Sequence, residues 1–271
     1  MAVPRISAVA VRIAAISGKG GTGKTTTVIN LACALAELGH RILAVDMDPQ
    51  ANLTSGVGLD PYRLEHTIFD ALTGESPNGS VIVSTDYGIN LLPSSPDLSA
   101  IESSLKSSIG REFRLKEVLA SLRGGDYDFI LIDTPPNFGF HTLNALAAAD
   151  YILVPVQMSG FALRGLKEVL RTVAAARQRL NADVRVLGIL PTFVSPRTRF
   201  SQEMLQGLRE MPGLPVLQTE IRSTVKFAET SLKGVPITHH AASSEASRAY
   251  RALAQEIVGL IGIVQEDRED R

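Results

Sequence analysis

The sequence lacks the features that define several large classes of protein. Its 271 residues include one cysteine, Cys33, which cannot form an internal disulfide or supply the paired thiolates of a structural zinc or iron–sulfur site. No apolar stretch approaches the roughly 18 residues of a membrane-spanning helix, and residues 1–12 contain no secretory signal. The G-x-S-x-G pattern of a serine nucleophile elbow is also absent. These absences favour a soluble protein of a reducing cytoplasm.

Charge is nearly balanced overall but unevenly distributed. The formal net charge is -1, which by itself argues against a generally basic nucleic-acid-binding protein. Residues 164–251, however, carry 14 Lys and Arg against 7 Asp and Glu, whereas the rest of the chain carries 13 against 21. The C-terminal third is therefore a candidate electropositive face. Arginine-rich helices that merely face solvent are the alternative explanation.

Short apolar runs of strand length alternate with longer segments of helical periodicity. The predicted strands are Arg12–Ser17, Arg41–Asp46, Ile89–Pro93, Phe129–Asp133, Tyr151–Val156 and Val184–Leu190. The predicted helices are Thr25–Leu38, Arg111–Leu122, Leu163–Leu180 and Ser244–Ile261. This alternation predicts an α/β fold with a mostly parallel, twisted sheet and helices on both faces. No linker composition divides residues 1–271, so we expect one domain with a short N-terminal extension (1–11) and a frayed charged tail (265–271).

A glycine-rich segment follows the first predicted strand. Residues 18–26, G-K-G-G-T-G-K-T-T, match G-x-x-x-x-G-K-[ST] in the strand–loop–helix context that this motif requires. Its backbone N–H groups and the following helix N-terminus can surround phosphate oxygens, while Lys24 reaches the β- and γ-phosphates and Thr25 binds Mg²⁺. The expected nucleotide-binding residues are Gly20, Gly21, Thr22, Gly23, Lys24, Thr25 and Thr26. The sequence therefore predicts a single-domain P-loop NTPase.

A second lysine, Lys19, follows the first glycine of this loop. With it, the segment resembles the deviant Walker A motif, K-G-G-x-G-K-[ST]-[ST], of the ParA/MinD family of ATPases. The resemblance implies that Lys19 is catalytic in a homodimer formed on ATP binding, where it reaches phosphates bound by the partner subunit. The alternative is an exposed loop lysine without that role.

Two further segments place carboxylates at predicted strand ends. Residues 46–52, D-M-D-P-Q-A-N, resemble switch I of ParA proteins, and residues 133–136, D-T-P-P, resemble their switch II. The resemblance implies that Asp48 orients the attacking water and that Asp46 supports the Mg²⁺ region. Carboxylates spaced i, i+2 on an extended segment point the same way, although a polar turn is the alternative for both. Asp133 ends an apolar strand, where it can hold the Mg²⁺ water shell.

The resemblance covers residues 12–258 and extends to the basic C-terminal third. Segments 190–199 and 220–229 resemble ParA segments that flank the adenine and carry residues used on DNA. The resemblance implies that DNA is contacted by Arg197, Arg199, Arg222 and Lys226. We expect these contacts to be independent of base sequence, because no recognition-helix motif is present.

The resemblance to the ParA/MinD family implies a Mg²⁺-dependent ATPase that hydrolyses ATP to ADP and phosphate. The implied protein is cytoplasmic and associates with the nucleoid when ATP-bound. It leaves DNA after a ParB-like or other partner stimulates hydrolysis, and so segregates chromosomes, plasmids or other cargo.

Two other functions use a similar loop. A MinD-like membrane-cycling regulator would bind lipid through an amphipathic C-terminal helix, but residues 266–271, E-D-R-E-D-R, are acidic-rich and would be repelled by anionic lipid. A reductase like the nitrogenase iron protein would need cysteines from both subunits around a cluster. Cys33 lies inside the helix after the loop, which disfavours that function.

Overall fold

The computed structural model describes residues 10–76, 78–122, 125–160 and 162–269. Its strands are β1 (Val11–Ala15), β2 (Ile42–Asp46), β3 (Val83–Ser84), β4 (Asn90–Leu92), β5 (Phe129–Asp133), β6 (Tyr151–Gln157), β7 (Arg185–Val194) and β8 (Ile221–Arg222). They form one sheet in the order β3-β4-β2-β5-β1-β6-β7-β8, in which only the β3–β4 pair is antiparallel. The predicted α/β fold with a mostly parallel sheet is confirmed.

Eleven α-helices are assigned within the described residues. They are α1 (Lys24–Glu37), α2 (Asn52–Gly56), α3 (Ile68–Thr73), α4 (Ile101–Ser104), α5 (Arg114–Ala120), α6 (Phe140–Ala148), α7 (Ala162–Arg179), α8 (Arg199–Arg209), α9 (Lys226–Lys233), α10 (Ile237–His240) and α11 (Glu245–Glu269). The predicted helix Arg111–Leu122 is divided into a 3₁₀ turn, Arg111–Phe113, and the shorter α5.

Both chain ends differ from the predicted boundaries. Val11 already belongs to β1, and residues 1–9 of the predicted extension lie outside the described residues. At the other end, α11 continues to Glu269, so the backbone of most of the segment predicted as a frayed tail is helical. Residues 270 and 271 lie outside the described part of the chain.

The core occupies both faces of the sheet. Successive side chains of a strand point to opposite faces, so Ile13 packs with α1 and α11 while Ala14 packs on the side of α6 and α7. The central strands β2 and β5 are buried along their whole length. This double burial explains why they are continuous apolar runs without polar alternation.

One edge of the sheet collects all the segments with predicted chemistry. The carboxyl ends of parallel strands lie on the same side, and the loops after β1, β2, β5, β7 and β8 contain residues 17–23, 47–51, 134–139, 195–198 and 223–225. We call this side the carboxyl edge. Ligand-binding crevices of open α/β sheets form at this position.

Candidate nucleotide-binding site

The phosphate loop, residues 17–23, turns sharply between β1 and α1. Gly21 and Gly23 have φ values of 74° and 87°, in the left-handed region that favours glycine. A Cβ atom at Gly23 would lie 3.2 Å from the Phe193 ring, so this position is also sterically restricted. Because Gly23 immediately precedes α1, the first N–H groups of that helix point into the loop. The loop therefore has the shape and the polarity of a phosphate cradle.

Lys24 extends from the start of α1 into the interior of the loop. Its Nζ atom donates to Ser17 Oγ at 3.0 Å, and this oxygen also accepts from Thr22 Oγ1 at 2.8 Å. Burial lowers the pKa of Lys24, and the charges of Asp133 and Asp48 oppose that shift. The ammonium group is thus preplaced for an anion. Ser17 was missed from the sequence, where a serine at a strand end has no distinctive signal.

Thr25 and Asp133 join α1 to the end of β5. The Thr25 hydroxyl donates to Asp133 Oδ2 at 2.6 Å, while Asp133 Oδ1 is buried and has no hydrogen-bond partner among the described residues. Burial raises the pKa of Asp133 to about 8, and the nearby charge of Asp46 adds to the shift. An unpaired buried carboxylate oxygen requires a cation or a donor. The hydroxyl and this carboxylate are oxygen ligands of the kind that suit Mg²⁺ and its water shell.

Replacing Asp133 with asparagine should stabilise the ligand-free protein. Folding raises the pKa of Asp133 from 3.8 to about 8, so its contribution to stability is complete below 3.8 and is lost as the pH rises through about 8. Asparagine removes this loss. At pH values above about 8, we expect the free energy of unfolding of Asp133→Asn to exceed that of the parent by about 1–2 kcal/mol. This difference raises the melting temperature by roughly 2–8 °C. The measurement is the melting temperature against pH, with chelator and without nucleotide.

Asp128, one residue before β5, provides a control because its pKa shifts in the opposite direction to that of Asp133. Arg41 holds the pKa of Asp128 below its ordinary value, with a 2.7 Å ion pair, so this carboxylate stabilises the fold above its unfolded pKa. Asp128→Asn should therefore lower the melting temperature at neutral pH. Equal shifts of the same sign in the two variants would contradict this account of Asp133.

Asp46 is placed beside Asp133 by the pairing of β2 with β5. Its Oδ1 accepts the Asp48 N–H at 3.1 Å, and its Oδ2 accepts the N–H and hydroxyl of Thr54 at 2.9 and 2.8 Å. Burial raises the pKa of Asp46 to about 6. Both oxygens thus accept hydrogen bonds from the segment that follows β2, Oδ1 from the loop and Oδ2 from α2. The structure gives Asp46 and Asp48 different surroundings, although the sequence spacing predicted that they face the phosphates together.

Asp48 lines the cleft in front of the phosphate loop. All seven predicted nucleotide-binding residues, 20–26, line this cleft together with Asp48. Asp48 is 6% exposed, and its Oδ1 accepts the Gln50 N–H at 3.0 Å. Ala51, three residues later, has φ 51°, a left-handed conformation that is unfavourable for alanine and is typical of functional loops.

The comparisons with known proteins agree with this geometry. A family model described as an AAA domain matches residues 10–186. The chromosome-partitioning ATPase Soj of Thermus thermophilus is 42% identical over 250 residues, which are 92% of this chain and 96% of that protein. The chain belongs to the ParA/MinD family of P-loop ATPases.

Solved structures of similar proteins extend this comparison. Cobyrinic acid a,c-diamide synthase from Mycobacterium smegmatis, solved with a bound ATP analogue and magnesium, has a TM-score of 0.81 and 38% identity, covering 91% of this chain and 93% of its own. The cell division ATPase MinD from Pyrococcus furiosus has a TM-score of 0.76 and 27% identity, covering 93% and 100%. None of the described helices of this family member is both long and apolar enough to span a bilayer.

The residues predicted from the ParA resemblance lie along the carboxyl edge. Lys19 is exposed at the top of the phosphate loop. Val194 is paired with Arg222, which brings the segments that follow β7 and β8 together. Arg199 forms an ion pair with Glu203 at 2.7 Å, and Arg222 forms one with Glu245. Among the described residues, no ion pair involves Arg197 or Lys226.

A further contact ties β7 to the phosphate loop in this family member. The Thr192 hydroxyl donates to the Thr22 carbonyl at 2.7 Å, and both residues are buried. The next residue, Phe193, has φ 50° and packs its ring against Gly23. A bulky residue in this conformation is strained and is held by its surroundings. Sequence periodicity predicted this strand only as far as Leu190, and it carried no signal for the contact.

Proposed function

We propose that the chain is a ParA-type partition ATPase that binds ATP with Mg²⁺ and hydrolyses it to ADP and phosphate. The observation that carries this proposal is the arrangement of four residues at the carboxyl edge. Lys24, Thr25 and Asp48 line one cleft, and the buried Asp133 accepts a hydrogen bond from the Thr25 hydroxyl. Each of these residues has a separate function in phosphoryl transfer, which depends mainly on positioning and electrostatic stabilisation. The 42% identity to a chromosome-partitioning ATPase supports this function over other uses of the fold.

The role of each residue follows from its surroundings. Lys24, with its ammonium already inside the loop, binds the terminal phosphates, and the glycine backbone N–H groups hold their oxygens. Thr25 and Asp133 would hold Mg²⁺, which when bound neutralises phosphate charge. Asp48, which lines the same cleft, orients the attacking water. Asp46 keeps the Asp48 backbone in place instead of facing the phosphates itself.

The exposure of Lys19 supports an active site completed by a second copy of the chain. Lys19 lies at the outer surface of the loop, whereas Lys24 occupies the interior. A lysine so placed can meet the phosphates of a facing subunit without leaving its own backbone position. ATP would therefore act as part of the dimer interface, and a stimulating partner protein would act on that dimer.

We propose that the ATP-bound dimer binds DNA without sequence specificity. The loop residues 195–198 and 223–225 lie side by side because β7 and β8 are paired. Arg197 lies in the first of these loops and is exposed. Lys226 begins α9 directly after the second loop and is partly exposed, and both residues fall within the region of excess positive charge. Dimerisation would double this surface, so we expect DNA binding to require ATP. Phosphate contacts of this kind carry no base-sequence information.

The ion pairs rank the four basic residues in a DNA-binding experiment. With ATP and Mg²⁺, the parent should bind duplexes of any sequence, and affinity should fall steeply with salt. Arg197→Ala or Lys226→Ala should lower the slope of log affinity against log salt by about one per contacting subunit. Arg199→Ala and Arg222→Ala should each have a smaller effect, because Glu203 and Glu245 already form ion pairs with these arginines. Fluorescence anisotropy of a labelled duplex over a salt series measures these slopes.

The DNA-binding measurement, together with sedimentation with anionic vesicles, shows whether the ATP-bound protein binds DNA or lipid. ATP-loaded protein that ignores DNA at low salt but sediments with anionic vesicles would replace this proposal with a MinD-like membrane cycle. Binding that needs no ATP would contradict the dimer-dependent surface. A larger loss for Arg199→Ala than for Arg197→Ala would contradict the ranking.

A further inference from the structure

Four buried residues, one of which lines the cleft, form a closed ring of hydrogen bonds. The Asp48 N–H donates to Asp46 Oδ1 at 3.1 Å, and the Asp48 carbonyl accepts from Ser94 Oγ at 2.8 Å. The Ser94 N–H donates to Thr54 Oγ1 at 3.0 Å, and the Thr54 hydroxyl donates to Asp46 Oδ2 at 2.8 Å. We call Asp46, Asp48, Thr54 and Ser94 the switch ring. It holds both the N–H and the carbonyl of Asp48.

Ser94 connects this loop to a different strand of the sheet. β4 is parallel to β2 with Leu92 beside Val45, so the residues just after β4 reach the carboxyl edge next to the end of β2. Ser94 is fully buried. Its hydroxyl has one proton, and the 2.8 Å contact with the Asp48 carbonyl is much shorter than its 3.5 Å contact with the Ser95 carbonyl. The Ser94 hydroxyl therefore donates its hydrogen bond to the Asp48 backbone carbonyl.

We propose that Ser94 is a positioning residue for ATP hydrolysis. It fixes the Asp48 backbone so that the Asp48 carboxylate keeps its place in the phosphate cleft. This inference rests on the proposed role of Asp48 in orienting water. The ring is shielded from water, where hydrogen bonds are strong and an unpaired group is costly. The loop also includes Ala51 in a left-handed conformation, which would relax if the surrounding contacts were lost.

A pair of adjacent serines allows a matched test. Ser94→Ala removes the bond to Asp48, and a displacement of about 1 Å at a catalytic group can cost about 10²-fold in rate. We expect kcat to fall by about 10–10²-fold while KM for ATP stays unchanged, because the phosphate loop is intact. Ser95 is 3% exposed, and its hydroxyl has no partner among the described residues. Ser95→Ala removes the same buried group and should leave kcat unchanged.

Single-turnover hydrolysis separates positioning from loss of folded protein. Unfolded molecules reduce the amount of bound nucleotide, whereas a misplaced Asp48 lowers the rate constant per bound nucleotide. In an Asp48→Ala background, adding Ser94→Ala should cause no further decrease in that rate constant. If Ser94→Ala does not fold, Ser94→Cys keeps a side chain of similar shape with a weaker donor and should also slow hydrolysis.

Several outcomes would overturn the inference. Parental single-turnover rates in Ser94→Ala or Ser94→Cys would do so, as would an equal loss in Ser95→Ala. A further decrease on adding Ser94→Ala to Asp48→Ala would show that Ser94 acts by another route. Failure of the underlying function looks different, because Asp48→Ala itself would then hydrolyse ATP at the parental rate.

Discussion

Replacing Asp48 with alanine should leave nucleotide binding intact and slow ATP hydrolysis by roughly 10²–10⁴-fold. Asp48 lines the cleft, whereas Lys24 and the glycine N–H groups that we propose to bind phosphate belong to a separate segment. The variant should therefore accumulate as an ATP-bound dimer. Phosphate release measures turnover, and a fluorescent ATP analogue measures affinity.

Asp60 offers a comparison for this substitution. It is an exposed aspartate in the loop after α2, where it pairs with Arg63 at 3.2 Å. Asp60→Ala should hydrolyse ATP like the parent. If Asp48→Ala keeps parental turnover, Asp48 has no part in the reaction. If it loses ATP affinity as well, its role is in binding and not in orienting water.

Lys19→Ala should bind ATP as a monomer and fail to form a stable dimer. Hydrogen bonds to charged groups contribute about 1.5–3 kcal/mol each, and a symmetric dimer would lose two such contacts. We expect dimerisation to weaken by about 10²–10⁴-fold. Sedimentation velocity with ATP and Mg²⁺ measures the monomer–dimer equilibrium, and turnover and DNA binding should decline with the dimer.

Lys106 is a matched exposed lysine away from the phosphate loop, just after α4. Lys106→Ala should dimerise like the parent. A Lys19→Ala protein that dimerises as tightly as the parent would make Lys19 a loop residue without a role in the partner's site. Loss of ATP binding by the isolated Lys19→Ala subunit would instead place Lys19 in its own phosphate site.

The sequence predicted much of this fold because its main elements are long and strongly patterned. All six predicted strands are present with small shifts at their ends. β3 and β8 were missed because each has two residues, too few for any periodicity. α6 was missed because it follows D-T-P-P-N-F-G, where prolines and glycine indicate a loop.

The nucleotide site was predictable to the extent that it is a contiguous motif. Residues 18–26 are contiguous in the sequence, so their proximity in the structure can be predicted without knowledge of the tertiary fold. The switch ring is different, because Thr54 and Ser94 are 40 positions apart and join only through the pairing of β2 with β4. The Arg222–Glu245 ion pair also joins distant segments. The sequence around an isolated serine or glutamate does not indicate which distant residue will be its hydrogen-bond or ion-pair partner.

The hydrogen bond from Thr192 to the Thr22 carbonyl has a thermodynamic consequence. β7 runs from this contact directly into the loop that carries Arg197, so the nucleotide site and the proposed DNA surface share one strand. If ATP strengthens DNA binding by some factor through this strand, DNA must strengthen ATP binding by the same factor. A molecule on DNA would then hold its nucleotide more tightly than a free one. Release from DNA and weaker binding of nucleotide would then be two effects of the same linked equilibrium, one at the proposed DNA surface and one at the nucleotide site.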